Sequence, residues 1–77
     1  MLEKIKGMIA DQLFIDANDI SESSRFVEDL KADSLDVVQM LIALENEYGF
    51  TFEEEEMSKI RTVGDAVKLI TEKTKNN

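Results

Sequence analysis

Asp33-Ser34-Leu35-Asp36 marks the point where an irregular polar segment gives way to the most regular apolar pattern in the chain. Downstream, apolar side chains recur every three or four residues, at Val37, Met40, Leu41, Leu44 and Tyr48. This spacing predicts an α-helix over about Ser34–Tyr48 with one buried face. Ser34 is then a hydroxyl at a helix N-terminus, where unpaired N–H groups and the helix dipole favour an attached anion such as a phosphodiester. Asp and Ser are also ordinary N-cap residues, so capping alone explains both.

Apolar periodicity predicts three more helices around this one. The first spans about Leu2 to Leu13, a short one begins within residues 53–56 and ends near Ile60, and the last spans about Val63 to Glu72. A long loop from Asp16 to Asp33 joins the first two long helices. The sequence therefore predicts an all-α four-helix bundle, with three longer helices and a short third one. Residues 1–77 are expected to form one domain with a frayed tail over residues 73–77.

The central helix carries a second apolar strip beside its buried face, formed by Leu35, Val38 and Ile42. A helix that packs on one face only has no need of this strip. Burial under the loop or the third helix explains Val38 as well as exposure does. Leu35 and Ile42, which are rimmed by acidic residues, fit an exposed contact surface for a protein partner.

The charge and the missing residue types exclude several function classes. Nine Lys and Arg against seventeen Asp and Glu give a formal net charge of −8, and the chain has no His and no Cys. The acidic excess disfavours nucleic acid and favours basic protein surfaces. Without His or Cys, the Ser-His-Asp and Cys-His arrangements are impossible and a structural zinc site has no ligands. An autonomous enzyme is not expected, since a small helical chain leaves little room for a walled cleft.

The chain contains no apolar run long enough to span a membrane, and its first residues lack the core of a signal peptide. We therefore expect a cytoplasmic protein that does not insert into membranes, and we expect it to be a monomer. The acidic composition makes calcium binding an alternative function. An EF-hand loop that starts at Asp16 would place Ile20 and Ser21 where a ligand and a glycine are required, so this alternative fails and no metal site is predicted.

A long stretch around Ser34 resembles a known family. The string Phe26-Val27-Glu28-Asp29-Leu30-Lys31-Ala32-Asp33-Ser34-Leu35-Asp36 resembles the segment around the prosthetic-group serine of acyl carrier proteins. The likeness continues in the same order through Glu45-Asn46-Glu47-Tyr48-Gly49-Phe50 to Thr62-Val63. It covers nearly the whole chain, which makes it far more specific than a three-residue match.

The resemblance implies a role for individual residues. Ser34 would be the attachment point for 4′-phosphopantetheine, transferred covalently from coenzyme A by a phosphopantetheinyl transferase, and the arm would present acyl thioesters to fatty-acid synthesis enzymes with basic docking surfaces. The residues that match the family's partner-docking positions are Asp33, Leu35, Asp36, Ile42, Glu45 and Glu47. The candidates for the walls of an acyl-chain pocket are Phe26, Leu30, Leu41, Leu44, Phe52, Met57, Ile60 and Ala66, which plain core packing explains equally well.

The chain departs from the family pattern at a few positions. Lys31 stands where most relatives have glycine, and Gln39 and Asn46 replace usual acids. Glu53 replaces a common proline before the third helix. None of these substitutions touches Ser34, so they bear on which partners dock. Two alternatives stay open: a carrier for a polyketide or another specialised acyl pathway, and an acidic interaction module without a prosthetic group.

Overall fold

The computed structural model describes residues 2–75 and confirms the all-α fold with four helices in the predicted order. The helices of this part of the chain are α1 (Leu2–Leu13), α2 (Ser34–Tyr48), α3 (Glu54–Lys59) and α4 (Val63–Thr74), with a 3₁₀ turn at Ala17–Asp19. Helices α1 and α2 have their predicted bounds. The predicted end of α4 at Glu72 is wrong by one half-turn, because the helix continues to Thr74. The last two residues of the predicted tail lie outside the described residues.

The core is built from the apolar faces of α1, α2 and α4. Ile5 and Ile9 of α1 meet Leu41 and Leu44 of α2, and all four side chains are fully or almost fully buried. Ile70 of α4 is also fully buried and belongs to the same cluster. Burial of each such side chain contributes about 1.5–3 kcal/mol. Since the described residues contain no disulfide, this packing carries the stability of the bundle.

Helices α1 and α2 run antiparallel. Lys4 near the start of α1 places its Nζ atom 2.6 Å from Oε2 of Glu47 near the end of α2. The same ammonium group lies 5.3 Å from the centre of the Tyr48 ring, within the range of a cation–π interaction. The end of α1 and the start of α2 therefore lie at the same end of the bundle.

The long loop between α1 and α2 is held to the start of α4 by backbone pairing. Arg25 and Thr62 form an isolated antiparallel bridge. The flanking bonds are Phe26 N–H to Arg61 O (3.0 Å), Val63 N–H to Ser24 O (3.0 Å) and Gly64 N–H to Glu22 O (2.8 Å). The buried side chains of Ile20 and Phe26 add apolar anchors. These contacts explain how a loop of this length keeps a defined path in a compact domain.

Local sequence signals set the helix ends. Gly49 takes φ +72° after α2, which is the left-handed position that its lack of a Cβ atom favours. At the start of α4, Thr62 Oγ1 accepts a hydrogen bond from the Asp65 N–H at 3.1 Å. The Asp65 carboxylate accepts from the backbone N–H groups of Arg61 and Thr62, and these bonds lower the pKa of that carboxyl. Thr62 and Asp65 thus form a capping box at the start of α4.

The two helix glycines predict opposite effects of adding a methyl group. At Gly7 a Cβ atom would meet nothing within 4 Å, so Gly7→Ala is expected to raise the free energy of unfolding by about 1 kcal/mol through helix propensity. At Gly64 a Cβ atom would lie 3.0 Å from the backbone oxygen of Glu22, so Gly64→Ala is expected to lower it by about 1–2 kcal/mol. Urea denaturation of both variants measures the two signs, and the same sign for both would contradict the packing described here.

No helix within residues 2–75 combines the length and the apolar character needed to cross a membrane.

Candidate functional site

Ser34 is the first residue of α2, and its side chain is exposed. Within residues 2–75 its hydroxyl makes no hydrogen bond to another group. The oxygen is therefore accessible at the amino end of its helix, as the apolar periodicity predicts. At this position the N–H groups of the first turn and the helix dipole favour a negative group on the hydroxyl.

The start of α2 is shaped by the two acids that flank Ser34. Asp33 is the N-cap residue, with extended backbone at φ −78° and ψ 160°. Its backbone N–H donates to Oδ2 of Asp36 at 3.2 Å. These two acids form the capping box of α2, and the serine hydroxyl takes no part in it. Ser34, which the sequence allowed as an N-cap residue, is therefore not the N-cap; Asp33 is.

The second apolar strip of α2 is exposed along its length. Leu35, Val38 and Ile42 are 63%, 43% and 47% exposed. Exposure of Leu35 and Ile42 agrees with the prediction from sequence, and Val38, for which burial was an equal alternative, is also uncovered. Three neighbouring exposed aliphatic side chains on one helix face form a surface of the kind that protein partners use.

Two of the predicted docking acids also make contacts within the chain. Glu45 is half-buried, and its Oε2 atom accepts a hydrogen bond from the Phe52 backbone N–H in the α2–α3 connection. Glu47 pairs with Lys4 of α1, as described above, with both side chains about half exposed. Solvent screens such an exposed pair, so it contributes little to the stability of the fold. A docking role for these two acids stays a prediction.

The predicted walls of an acyl pocket all lie in the core or against it. Phe26, Leu41, Leu44, Phe52, Ile60 and Ala66 are buried, and Leu30 and Met57 pack on them. The structure has a groove of about 350 Å³ between α3 and α4, but only Ile60 among these residues lines it. Its other lining residues are Glu56, Lys59, Asp65, Lys68, Leu69 and Glu72. The acyl-pocket assignment stays a prediction, and core packing accounts for the positions of its residues.

Two positive φ angles at the end of the bundle that carries Ser34 were not predicted from the sequence. Phe14, directly after α1, and Lys31, shortly before α2, take φ +58° and +60°. Phe14 is in addition 94% exposed. The positive φ of Lys31 could have been predicted, because a glycine at that position in most relatives indicates a backbone that needs positive φ. Phe14 carries no comparable sequence signal.

Among residues 2–75 no group of three or more carboxylates is placed to hold a metal ion.

Comparisons with known proteins agree on one family. The model of the family described as a phosphopantetheine attachment site matches residues 3–70, which include Ser34. The acyl carrier protein of Picosynechococcus is 46% identical over 77 residues, with 100% of this chain and 95% of that protein covered. The acyl carrier protein of Clostridium acetobutylicum is 49% identical over 70 residues, with 91% of each chain covered. A solved structure from Mycobacterium tuberculosis, also described as an acyl carrier protein, superposes on this chain with a TM-score of 0.81 at 30% identity. The match covers 88% of this chain and 92% of that one.

Proposed function

This chain belongs to the acyl carrier protein family, and from that premise we propose that Ser34 is the residue to which 4′-phosphopantetheine is covalently attached. The observation that carries the proposal is the exposed, unbonded hydroxyl on the first residue of α2. Its position in the sequence is the one that the family resemblance assigns to the modified serine.

The surroundings of Ser34 suit the attachment chemistry. The hydroxyl oxygen attacks the phosphorus that bears the pantetheine in coenzyme A, and the bond from that phosphorus to the nucleotide phosphate breaks. The nucleotide leaves as 3′,5′-ADP, and the serine proton passes to a base on the transferase. Ser34 meets the two demands of this step on the carrier, since its oxygen is accessible and the helix N-terminus favours the phosphodiester that remains.

The protein's own contribution is presentation. When bound, the arm supplies a terminal thiol that holds acyl groups as activated thioesters. Helix α2 supplies a rigid base at the point of attachment, and its exposed strip and acidic rim supply a surface by which partner enzymes recognise the carrier. The chain supplies no catalytic group to the acyl chemistry, and the enzymes that act on the thioester do.

We assign the carrier to fatty-acid synthesis in the cytoplasm. The similarity to acyl carrier proteins over most of their length supports a carrier role, and the acidic α2 surface suits enzymes with basic docking faces. A carrier for a polyketide or another specialised acyl pathway is the second candidate, because it would share the fold and the Ser34 chemistry. Activity of the loaded chain with a fatty-acid ketosynthase distinguishes the two pathways.

Incubation with coenzyme A and a broad-specificity phosphopantetheinyl transferase tests the attachment. The intact mass of the chain is expected to rise by one phosphopantetheine. A known carrier serves as the positive control for the transferase. An unchanged mass beside an active control would contradict the proposal and favour an acidic interaction module without a prosthetic group.

Neutralising one acid on α2 is expected to slow docking. Glu45→Gln keeps an oxygen that accepts the Phe52 N–H bond but removes one charge from the α2 surface. We expect association with a basic partner enzyme to be about two- to threefold slower at low ionic strength, with the difference shrinking as salt is added. Stopped-flow measurement of the association rate checks this.

Glu72→Gln is the matched control for this prediction. It makes the same change in net charge on an exposed residue of α4. Equal slowing by Glu45→Gln and Glu72→Gln would indicate that the total charge of the chain steers association and that the α2 surface has no special part.

A further inference from the structure

Lys31 holds a backbone conformation that a lysine rarely adopts. Its φ of +60° lies in the left-handed region, where a Cβ atom crowds the following carbonyl oxygen. Hydrogen bonds on both sides impose this conformation: the Leu30 N–H donates to Arg25 O at 3.0 Å, and the Ala32 N–H donates to Phe26 O at 2.8 Å. A glycine would meet the same constraint without strain. A residue that keeps a strained backbone conformation near a candidate site indicates a function for its side chain.

The Lys31 ammonium group is not held in an ion pair within residues 2–75, and its charge is the last of the causes that lower the pKa of the Asp29 carboxyl, after the hydrogen bonds from Arg25. Residues 16–40 contain two cationic side chains, Arg25 and Lys31. The Arg25 guanidinium is held by Asp29 through two hydrogen bonds of 3.1 and 3.3 Å and also lies 3.4 Å from Glu28. Lys31 is exposed and forms no ion pair within residues 2–75. It is therefore the cation of this segment that remains available to a new anion.

Lys31 and Ser34 lie close along the chain. They are separated by the buried Ala32 and the N-cap residue Asp33, so their Cα atoms are at most about 11 Å apart. A lysine side chain is long and flexible, and a phosphate on the serine oxygen adds its own length, so the two charges can approach more closely than the two Cα atoms. This separation is comparable to the Debye length of about 10 Å at 0.1 M salt, so the two charges would interact even without direct contact.

A phosphodiester on Ser34 would otherwise stand in an unfavourable field. The flanking residues Asp33 and Asp36 are both exposed carboxylates, and the chain has a net charge of −8. One more negative charge between two carboxylates adds like-charge repulsion, which the helix dipole offsets only in part. A cation three residues upstream relieves it.

We propose that the Lys31 ammonium group is the counter-charge for the phosphodiester on Ser34 and stabilises the loaded form of the chain. This inference rests on the proposed function, since it requires the arm to be attached there. Lys31 acts on the phosphate and not on the thiol. The folded chain fixes the Lys31 backbone through the Leu30 and Ala32 hydrogen bonds, whereas the unfolded chain samples many separations of the two charges, so the effect appears in the folding equilibrium of the loaded chain.

The test compares urea denaturation of the unloaded and loaded forms of four chains: wild type, Lys31→Gly, Lys31→Arg and Phe14→Gly. The quantity compared is the shift in urea midpoint from the unloaded to the loaded form of each chain. At low salt this shift is expected to be about 0.3 M lower for Lys31→Gly than for wild type, and the difference is expected to shrink at high salt. Lys31→Arg is expected to behave as wild type, because it keeps the charge.

Phe14→Gly is the matched control for backbone strain. Phe14 also has positive φ, at +58°, and it occupies the position after α1 where glycine is usual. Relief of strain there is expected to raise the midpoints of the unloaded and loaded forms equally. Strain relief in Lys31→Gly likewise appears in both forms and cancels in the comparison, so that the change on loading reports the interaction with the phosphate.

The outcomes separate this inference from the proposed function. A wild-type chain that the transferase does not load overturns both. Loading of all four chains with the same change in midpoint for Lys31→Gly and wild type overturns this inference alone. The ³¹P resonance of the attached phosphodiester is an independent readout: it is expected to shift in Lys31→Gly relative to wild type and to stay in place in Phe14→Gly, and an identical resonance in all chains would count against the counter-charge.

Discussion

Ser34→Ala is expected to abolish the gain in mass on incubation with coenzyme A and a phosphopantetheinyl transferase. The substitution removes the Ser34 hydroxyl oxygen, to which we assign the bond with the arm. Since the Ser34 hydroxyl makes no hydrogen bond within residues 2–75, the free energy of unfolding is expected to change by no more than about 0.5 kcal/mol. Loss of loading in a chain that remains folded is the predicted combination, measured by intact mass and by urea denaturation.

Ser23→Ala is the control for this prediction. Ser23 is an exposed serine in the long loop and does not stand at the start of a helix. Its variant is expected to be loaded as completely as the wild-type chain. Loading of Ser34→Ala at the wild-type level would show that another side chain receives the arm.

Phe26→Ala is expected to have the largest effect on stability. Phe26 is 1% exposed and anchors the long loop in the core, and its backbone oxygen accepts the bond that positions Ala32 before α2. Truncation of a buried phenylalanine costs about 3–5 kcal/mol. A helical domain of this size without a disulfide or metal has a stability of only a few kcal/mol, so the variant is expected to be largely unfolded at 25 °C. Circular dichroism during urea titration measures this.

Val27→Ala is the matched control in the next residue. Val27 is 55% exposed, and its truncation is expected to change the free energy of unfolding by no more than about 0.5 kcal/mol. A cooperative transition for Phe26→Ala at the wild-type midpoint would contradict the view that this side chain holds the loop.

Local signals explain why so much of the fold was predictable. The bounds of α1 and α2 follow from apolar periodicity together with end signals such as Gly49 after α2. The capping box at Thr62 likewise acts within four residues of sequence. Ser34 was predictable for the same reason, since the start of a regular helix is visible in the sequence and the family motif surrounds it.

The remaining features depend on contacts between distant segments. The bridge between Arg25 and Thr62 joins parts of the chain that no local pattern relates. The engagement of Glu45 by the Phe52 N–H and of Glu47 by Lys4 likewise became visible only when the elements were in place. These contacts show which acids of α2 also hold the fold.

Fragmentation of the loaded chain by tandem mass spectrometry identifies the residue that bears the arm. We expect a single phosphopantetheine, on the peptide that contains Ser34 and on that serine. An arm on Ser21, Ser23, Ser24 or Ser58, or on no residue of a chain incubated beside an active control, would contradict it.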